Sequence, residues 1–573
     1  MEEQVSNITH FISDLVAFKF GESEIIQGEA LGHYNQCTFP TKNDVLLVVK
    51  PEPTSFDQKT RYLKILHIVK LAKKHLVSIY PISCGKNWGY GSMSPMGNAV
   101  VILDLSNFNL IKEFDPVSHQ VCVEPGVTQQ HLYDYLKHNG DQYLMDTTGA
   151  PGSSSIVGNT LECGFGHSSI AERSKNVLNI TLVVPGAEGV EPELNSSSLI
   201  GSYDKKNNLK RIMNLGPDYT QLAMQSNYFI TVDMTISLKM KPDAFCAYFI
   251  DLSSEQFPLY IKLARRLRNL GVINSASHIG NKHKAIQMAV KHYPYAEMQN
   301  TTPLSEDYTA KICEYYGLAD WTVSGAIYGT NERVNADKKV LKAEAAKIGA
   351  KIMFIDDNKL AKIEKVAAFL SDKPIGKSVA SIVSKFSSSL SIQFRKLAML
   401  DDLKALYQLK KGVPTDHFVK TTYWRTKLDD GDSDFSNPND GKTGFIWIAP
   451  CTPICPTRIS ELENTICYIT QRYGFEPALS ITLLNERAAE CVISLSFNRL
   501  DMREEASAMK CHEEILVECA KIGAYVYRLS TESASINIGG FLEQEHARLD
   551  LKNVFDPLNI IAPGKYRSIF VSE

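Results

Sequence analysis

The chain of 573 residues has no long apolar run, and none of its stretches approaches the roughly 20 residues that a membrane-spanning helix needs. It also has no marked excess of charge, because 61 basic and 64 acidic side chains leave a formal net charge of -3. There is therefore no electrostatic reason to expect nucleic acid or an anionic membrane as a partner. The opening segment MEEQVSNITHFISDLVAFKF has no basic region followed by an apolar core, so we expect no secretory signal.

Cysteine is scarce for a chain of this length, and the 12 cysteines are scattered along it. Such usage favours free thiols in a reducing compartment, and we predict a cytoplasmic protein. Cys451 and Cys455 lie close together in the segment CTPIC, but no second pair follows at the spacing of a zinc site. The sequence therefore predicts no metal site.

The residues that are present describe an ordinary globular protein, with 44% hydrophobic and 22% charged side chains and a length that predicts two or more lobes. Helix-like and strand-like segments alternate through residues 1–242; Thr128, for example, is predicted to cap a helix that stops at Gly140. Strand, helix, strand patterns fill residues 243–519. The segment LDLKNVFDPLNIIAPGKYRSIF is predicted to form a helix, a turn and a short strand.

Two loops are rich in glycine and nearly free of charge. The first, PISCGKNWGYGSMSP, runs from Pro81 to Pro95, and the second, TTGAPGSSSIVGNTLECGFGHSS, runs from Thr147 to Ser169. Glycine brings backbone N–H groups close to a phosphate without interference from a Cβ atom. One such loop is a weak signal, because glycine turns are common. Two of them can line both sides of one long ligand that contains phosphate.

Five segments occur in an order that resembles the vanillyl-alcohol oxidase and p-cresol methylhydroxylase family of FAD-linked oxidoreductases: PISCGKNWGYG, VCVEPGVTQQHLYDYL, GNTLECGFG, MQSNYFITVDMTISLKMKP and VFDPLNIIAPGK. The resemblance implies an α+β fold with two lobes. A PCMH-type FAD-binding domain would comprise residues 1–242 and 520–573, and an α/β cap domain of residues 243–519 would be inserted between them. Family members commonly form dimers, so we also expect a homodimer.

The resemblance also assigns residues to the cofactor. The backbone from Ser83 to Asn87 would bind the FAD diphosphate, the second loop would flank the isoalloxazine and ribityl groups, Ile230 would contact the adenine through its backbone, and Lys565 would lie near the flavin. The predicted cofactor residues are Ser83, Cys84, Gly85, Lys86, Asn87, Trp88, Pro151, Ser154, Ser155, Gly158, Asn159, Glu162, Gly164, Ile230 and Lys565.

The implied activity is removal of a hydride from a para-substituted phenol or benzylic alcohol to the flavin N5 atom. Tyr90 in WGYG, and Tyr527 with Arg528 in AYVYRLS, match the family's two tyrosines and arginine that hold the phenol oxygen as phenolate. A guanidinium and two phenolic donors stabilise negative charge in a dry site. The anionic ring then favours loss of a hydride from the carbon at the para position, which gives a quinone methide.

The sequence departs from the family at the substrate side. Ala150 stands where vanillyl-alcohol oxidase has an aspartate beside N5, and Phe445 stands where a histidine carries the flavin covalently. We therefore predict non-covalent FAD, with a tyrosine linkage left open. Phe229 replaces a glycine that lets FAD approach, and Glu490 and Cys491 replace a pair of histidines that line the pocket. The cofactor frame is predicted to be kept and the substrate pocket to be rebuilt.

Two alternatives follow from these departures. In one, the substrate is a non-phenolic alcohol or a natural-product intermediate, and Arg528 binds a carboxylate or an enolate. In the other, the chain is a degenerate flavin-fold protein that binds but does not catalyse. His167 is interpreted as a polar loop residue, with a base or flavin linkage as the other possibility. The electron acceptor, oxygen or a redox partner, stays open.

Overall fold

The computed structural model describes residues 2–41, 45–96, 100–197, 217–372, 399–427, 434–536 and 545–566. The short strand predicted at the end of the chain falls largely outside these residues. Within them, the predicted cap at Thr128 is confirmed, because its hydroxyl accepts a hydrogen bond from the His131 N–H at 3.1 Å. The helix ends at His138, just before Gly140 with a φ of 99°.

The α-helices alternate with strands along most of the chain. They are α1 (Glu2–Ala17), α2 (Gly32–Asn35), α3 (Gln58–Arg61), α4 (Leu63–His75), α5 (Gln129–His138), α6 (Ile156–Leu161), α7 (Gln256–Asn269), α8 (Lys282–Val290), α9 (Glu306–Tyr316), α10 (Asn331–Lys347), α11 (Asp357–Asp372), α12 (Leu400–Lys410), α13 (Pro456–Arg472), α14 (Met502–Lys521) and α15 (Glu545–Phe555). Short 3-10 turns cover Glu22–Glu24, Gly28–Leu31, Arg173–Asn176, Thr220–Ala223, His417–Tyr423 and Ser533–Ser535.

The strands form two smaller sheets, a large sheet and a short ribbon. They are β1 (Ile25–Ile26), β2 (Leu47–Val49), β3 (Ile79–Ile82), β4 (Val101–Asp104), β5 (Ile111–Asp115), β6 (Gln120–Val123), β7 (Tyr143–Leu144), β8 (Val177–Val184), β9 (Glu193–Ser196), β10 (Ile230–Ser237), β11 (Lys239–Met240), β12 (Ala244–Leu252), β13 (Ser277–Asn281), β14 (Trp321–Gly329), β15 (Lys351–Ile355), β16 (Thr443–Ile448), β17 (Cys451–Pro453), β18 (Leu479–Leu483) and β19 (Ala488–Asn498).

The first small sheet has the order β1-β2-β4-β3, in which β2, β4 and β3 run parallel. Every residue of β2 and β4 is buried, as expected for parallel strands covered on both faces. The end of the chain joins this sheet, because the Ile79 N–H donates to the Ile560 carbonyl at 2.7 Å and the Ala562 N–H donates to the Ile79 carbonyl at 2.8 Å. The second small sheet is antiparallel, with the order β5-β6-β10-β8-β9.

The large sheet is antiparallel and follows the path β15-β12-β14-β13-β18-β19-β16, with β17 paired to β19. Successive residues along its strands face two different environments in turn. In β18, Leu479, Ile481 and Leu483 join the hydrophobic core formed with α7, α10, α13 and α14, whereas Ser480 and Thr482 face the other way and line a cavity. The period-2 geometry of a strand thus gives this sheet one dry face and one face that is available to a ligand.

The predicted division of the chain at residues 242 and 520 stays a prediction, but the contacts between its two parts are extensive. Cys37 and Phe39, from the N-terminal part, are buried in the core of the large sheet. The Thr38 hydroxyl also donates to the Phe445 carbonyl of β16 at 2.8 Å. These contacts hold the large sheet against the two smaller ones, and the candidate site lies where they meet.

Candidate active site

The two glycine-rich loops approach each other closely. The first follows β3, and the second follows β7 and leads into α6, whose N-terminus is capped by the Ser155 hydroxyl through a 2.9 Å bond from the Gly158 N–H. A Cβ atom on Gly158 would lie 2.4 Å from the Ser83 Oγ atom. Only glycine allows this approach, so the sequence of the second loop sets the distance between the two loops.

The first loop presents free backbone donors to the gap. The N–H groups of Gly85, Lys86, Asn87 and Trp88 donate no hydrogen bond to another residue in the described part of the chain. Gly85 has a φ of 66°, which curves the loop so that successive N–H groups converge. Because unpaired backbone donors are costly away from water, such a concavity is typical of an anion site.

A narrow cleft of about 170 Å³ runs between the loops. It is lined by both loops together with Phe229, Thr231 and Lys565. The Ser154 hydroxyl is buried there without a partner among the described residues, so it too is available to a ligand. The cleft therefore offers backbone donors, a hydroxyl and an ammonium group to an elongated anionic molecule.

A cluster of charged side chains lies in the wall of the cleft. The Glu162 carboxylate lies 2.5 Å from the Lys565 Nζ atom and 3.5 Å from the Arg528 Nε atom, and it accepts a hydrogen bond from the Tyr566 hydroxyl. Burial acts to raise the pKa of Glu162, but Lys565 and Arg528 outweigh it and lower the pKa to about 2. Glu162 is therefore ionised at neutral pH and fixes both cations.

A second, wider cavity of about 890 Å³ adjoins the cleft. The two share a set of five lining residues: Lys86, Asn87, Ala150, Asn159 and Arg528. The two spaces therefore adjoin along a shared wall, a small one beside a large one. That shape fits a dinucleotide whose reactive ring reaches the wide end, where a substrate has room beside it.

Tyr90, Tyr527 and Arg528 come together in this cavity. The Arg528 guanidinium carbon lies 4.4 Å from the centre of the Tyr90 ring, and Tyr527 is close enough to Tyr90 for the two side chains to interact electrostatically. Burial raises the pKa of both tyrosines, so both stay protonated donors. Arg528 is held in place by Asn87, whose side-chain oxygen accepts from Nη2 at 2.5 Å. Residues more than 400 positions apart therefore form one cluster of donors.

Glu490 is a carboxyl group in the same wall. It is 2% exposed, and neither of its carboxylate oxygens has a hydrogen-bond partner among the described residues. Burial raises the pKa of Glu490 well above its usual value, and the nearby Arg528 charge offsets only part of that rise. From the sequence alone, Glu490 is only a departure from the family pattern. Its place beside Thr482 in the sheet register, on the cavity face, is what makes it a functional candidate.

A stacked pair of histidines lines another part of the cavity. The rings of His167 and His278 are 3.9 Å apart and nearly parallel, and the Lys410 Nζ atom lies 3.5 Å from the His278 Nδ1 atom. Burial lowers the pKa of both histidines well below the usual value and lowers the pKa of Lys410 to about 7. His167 is thus a cavity residue held by a partner from the large sheet, which the loop sequence alone did not predict.

Most of the predicted cofactor residues line the two spaces. Those in the wall of the narrow cleft are Ser83, Gly85, Lys86, Asn87, Ser154, Ser155, Gly158, Asn159, Glu162 and Lys565. Those in the wall of the wide cavity include Trp88, Pro151 and Gly164, and the three predicted catalytic residues also lie there. Whether each of them contacts the cofactor stays a prediction.

Two predicted residues lie outside both walls. The Cys84 thiol points to the Gly126 carbonyl at 3.7 Å, and Ile230 is fully buried in the hydrophobic core. The neighbours of Ile230 on β10, Phe229 and Thr231, line the cleft instead. An adenine contact through the Ile230 backbone therefore stays a prediction, and side chains of the adjacent residues supply the wall.

The described residues contain no group of three or more histidine, cysteine, aspartate or glutamate side chains arranged to hold a metal ion. Among the helices in the described ranges, none is long and apolar enough to cross a membrane.

Comparisons with known proteins agree with this geometry. Residues 60–191 match the FAD binding domain family. The chain is 27% identical over 531 residues to 1'-carboxy-chondrochloren decarboxylase of Chondromyces crocatus, covering 92% of each chain. It is 24% identical over 552 residues to the 4-cresol dehydrogenase [hydroxylating] flavoprotein subunit of Pseudomonas putida, covering 95% of this chain and 92% of that one. Its structure superimposes on p-cresol methylhydroxylase with substrate bound with a TM-score of 0.80 at 22% identity, over 98% and 97% of the two chains.

The fold and the cleft define the protein as a flavoprotein enzyme, an FAD-dependent oxidase or dehydrogenase. The similarities over nearly the whole chain support the predicted vanillyl-alcohol oxidase and p-cresol methylhydroxylase family of FAD-linked oxidoreductases. The predicted α+β fold with a PCMH-type FAD-binding domain, and the FAD cofactor itself, are thereby confirmed.

Proposed function

We propose that the protein removes a hydride from the carbon attached to the para position of a phenol. The observation that carries this proposal is the cluster in the cavity wall in which the Arg528 guanidinium lies over the Tyr90 ring, with Tyr527 beside them. A phenol oxygen placed between these groups receives a charge-assisted hydrogen bond and two neutral ones, and the guanidinium stabilises it as phenolate.

The phenol proton needs an acceptor, and we assign that part to Glu490. Its carboxyl group is buried in the cavity wall without a partner among the described residues, and its charge interacts with Arg528, Tyr90 and Tyr527. The raised pKa of Glu490 brings its basicity closer to that of a phenol, which favours proton transfer between them. With the proton on Glu490, the ring carries negative charge toward its para position.

FAD, when bound, supplies the two-electron acceptor for this chemistry. The remaining steps fall to the substrate and the cavity. Loss of hydride from the benzylic carbon leaves a quinone methide, which captures water to give an alcohol or loses a neighbouring proton to give an alkene. Ala150 places no carboxylate at its position in the cavity wall, so this position has no side chain to activate water. This arrangement favours products that form without addition of water.

A second reaction fits the relative that is a decarboxylase. If the carbon next to the benzylic carbon bears a carboxylate, the quinone methide loses CO₂ instead of gaining water. The electron pair of the broken C–C bond forms the new double bond and restores the aromatic ring. The overall change is a two-electron oxidation of the substrate with release of CO₂ as a vinylphenol forms. The same three anchors and the same proton acceptor serve both reactions.

The finer predictions made from the sequence are part of this proposal. They are non-covalent FAD, a homodimer, a cytoplasmic location and oxygen or a redox protein as the electron acceptor. Phe445 supports the first, because its ring is buried against Trp447 and cannot bond to a flavin. The two other sequence hypotheses, a non-phenolic alcohol substrate and a non-catalytic binding protein, are the outcomes against which the phenol proposal is tested.

The test is an anaerobic titration of the purified yellow protein with 4-ethylphenol, 4-propylphenol and 3-(4-hydroxyphenyl)propionate, followed by product analysis. We expect the flavin absorbance to bleach and vinylphenol with CO₂ to appear from the acid. A yellow protein that no phenol bleaches, but that an aliphatic alcohol bleaches, would overturn the phenol proposal. Acid precipitation completes the test, since yellow colour that stays in the pellet would overturn non-covalent binding.

A further inference from the structure

Lys284 is a cation on the wall of the wide cavity that the proposed reaction does not use. It lies in the first turn of α8, directly after β13, where Asn281 caps the helix through a 3.0 Å bond from the Lys284 N–H. Its Nζ atom donates to the Ser494 Oγ atom at 2.9 Å and lies 5.6 Å from the centre of the Trp447 ring. The short turn from strand to helix therefore fixes the lysine against the cavity face of the large sheet.

Among the residues that the structure describes, the Lys284 ammonium group has Ser494 as its hydrogen-bond partner and no carboxylate within ion-pair distance. Burial alone lowers the pKa of Lys284 to about 8, so it still carries its proton at neutral pH. A buried charge is costly unless it is paired. One hydroxyl and an aromatic ring compensate only part of that cost, whereas an anionic ligand in the cavity would compensate the rest.

Two other lysines line the same cavity, and their settings differ. Lys86 belongs to the first glycine-rich loop and also lines the narrow cleft, which assigns it to the cofactor. Lys351 is exposed on the edge strand β15, so water compensates its charge. Lys284 is thus the cavity lysine that is half-buried, lies outside the two glycine-rich loops and lines only the wide cavity.

Lys284 and the phenolate anchors lie at separate places in the cavity. Ser494, which binds Lys284, and Glu490, which faces Arg528, are four residues apart on β19 and point to the same face. Four residues of an antiparallel strand span about 14 Å. The cavity therefore offers two positive points, one at Arg528 and another at Lys284, with the neutral residue Val492 between them on the strand.

We propose that Lys284 binds a carboxylate of the substrate, so that the natural substrate is a para-substituted phenol that also carries a carboxylate group. The inference rests on the proposed phenol oxidation, because it takes the Arg528 end of the cavity as the phenolate site. The ammonium fixes the second end of the ligand and thereby orients the benzylic carbon. Lys284 is a positioning residue in this scheme, and it takes no part in the transfer of hydride or proton.

The test compares Lys284→Met with Lys351→Met as the matched control, using ligands that differ only in charge. 4-Hydroxycinnamate and its methyl ester have no benzylic hydride, so their Kd values can be read from the perturbed flavin spectrum without turnover. We expect Lys284→Met to weaken the acid about 10- to 100-fold and the ester less than twofold. Lys351→Met should change neither. Equal loss for acid and ester, or no loss for either, would overturn the proposal.

A charge-reversal variant distinguishes loss of the lysine charge from a distortion of the site. Lys284→Glu should reject the acid and gain affinity for tyramine, whose ammonium matches the new carboxylate. Failure of tyramine to bind more tightly, in a variant that still binds the ester, would contradict the assignment. The two proposals fail separately. If neither 4-propylphenol nor 3-(4-hydroxyphenyl)propionate bleaches the wild-type flavin, the phenol reaction is wrong, whereas if only the charge dependence is missing, the role of Lys284 is wrong.

Discussion

In the narrow cleft, the half-buried carboxylate of Glu162 contacts Lys565, Tyr566 and Arg528, and its pKa falls to about 2. In the adjoining cavity, the buried carboxyl of Glu490 contacts no polar partner among the described residues, and its pKa rises. The two acids are both enclosed and both feel the charge of Arg528. Their environments nevertheless shift their pKa values in opposite directions.

The difference between the two carboxyl groups matches the different roles proposed for the two spaces, cofactor binding in the cleft and substrate binding in the cavity. A fully paired carboxylate is preorganised and resists change, which suits a cleft that keeps one cofactor through every turnover. An unpaired carboxyl with a raised pKa can gain or lose a proton, which suits a cavity where substrates come and go. Arg528 lines both spaces, so a substitution of Arg528 tests most directly whether the two spaces have separate roles.

The largest effect is expected for Arg528→Ala. The substitution removes the charge that stabilises the phenolate, and we expect the rate of flavin reduction by 4-ethylphenol to fall about 10²- to 10³-fold. Glu162 keeps its Lys565 partner, so FAD should remain bound. Stopped-flow absorbance under anaerobic conditions measures both quantities. Arg528→Lys, as the control, should recover part of the rate, and full activity in Arg528→Ala would sink the phenolate mechanism.

A smaller loss, about 10²-fold at neutral pH, is expected for Glu490→Gln, because the phenol then has no carboxylate to take its proton. Burial raises the pKa of Glu490, and the base form grows as pH rises through that pKa. The wild-type rate of flavin reduction should therefore increase with pH over a range above the usual carboxyl range, and the variant should lack this rise. Thr482→Val, next to Glu490 in the sheet register, is the control. An unchanged pH profile in Glu490→Gln would assign the proton to another group.

The smallest effect is expected for Glu162→Ala, which acts on the cleft instead of the cavity. It leaves Lys565 and Arg528 without their shared carboxylate, and we expect FAD to bind roughly 10- to 100-fold more weakly, in line with a charged hydrogen bond. Equilibrium titration of the apoprotein with FAD provides the measurement. Glu172→Ala, which breaks only the ion pair with Lys175, should leave FAD affinity unchanged. FAD occupancy equal to wild type in Glu162→Ala would remove that residue from the cofactor site.

The sequence was most informative where function depends on local backbone geometry. The glycines of the two loops predicted a ligand cleft, and Gly158 and Gly85 are indeed positions where the chain needs glycine, one for close approach and one for a positive φ. A loop encodes its own shape in a few adjacent residues. The order of five such segments was enough to predict the family, the fold and FAD.

The sequence was least informative where function depends on strand register. Ile230 lies in the core while its neighbours on β10 line the cleft, and this difference depends on which face of the strand is turned outward. The meeting of Glu490 with Arg528, and of His167 with His278, joins parts of the chain that are distant in sequence. Such contacts depend on how whole strands pair with one another, and a short sequence motif carries no information about that pairing.

The strict alternation of the large sheet has a practical consequence. Alternate residues on β13, β18 and β19, such as His278, Ser480 and Val492, line the cavity, while intervening ones such as Ile279, Ile481 and Cys491 belong to the hydrophobic core. A change at Ser480 or Val492 therefore alters the room and polarity offered to a substrate without opening a void in the core. Selection, natural or in the laboratory, can vary what this protein accepts while the framework that keeps it folded stays the same.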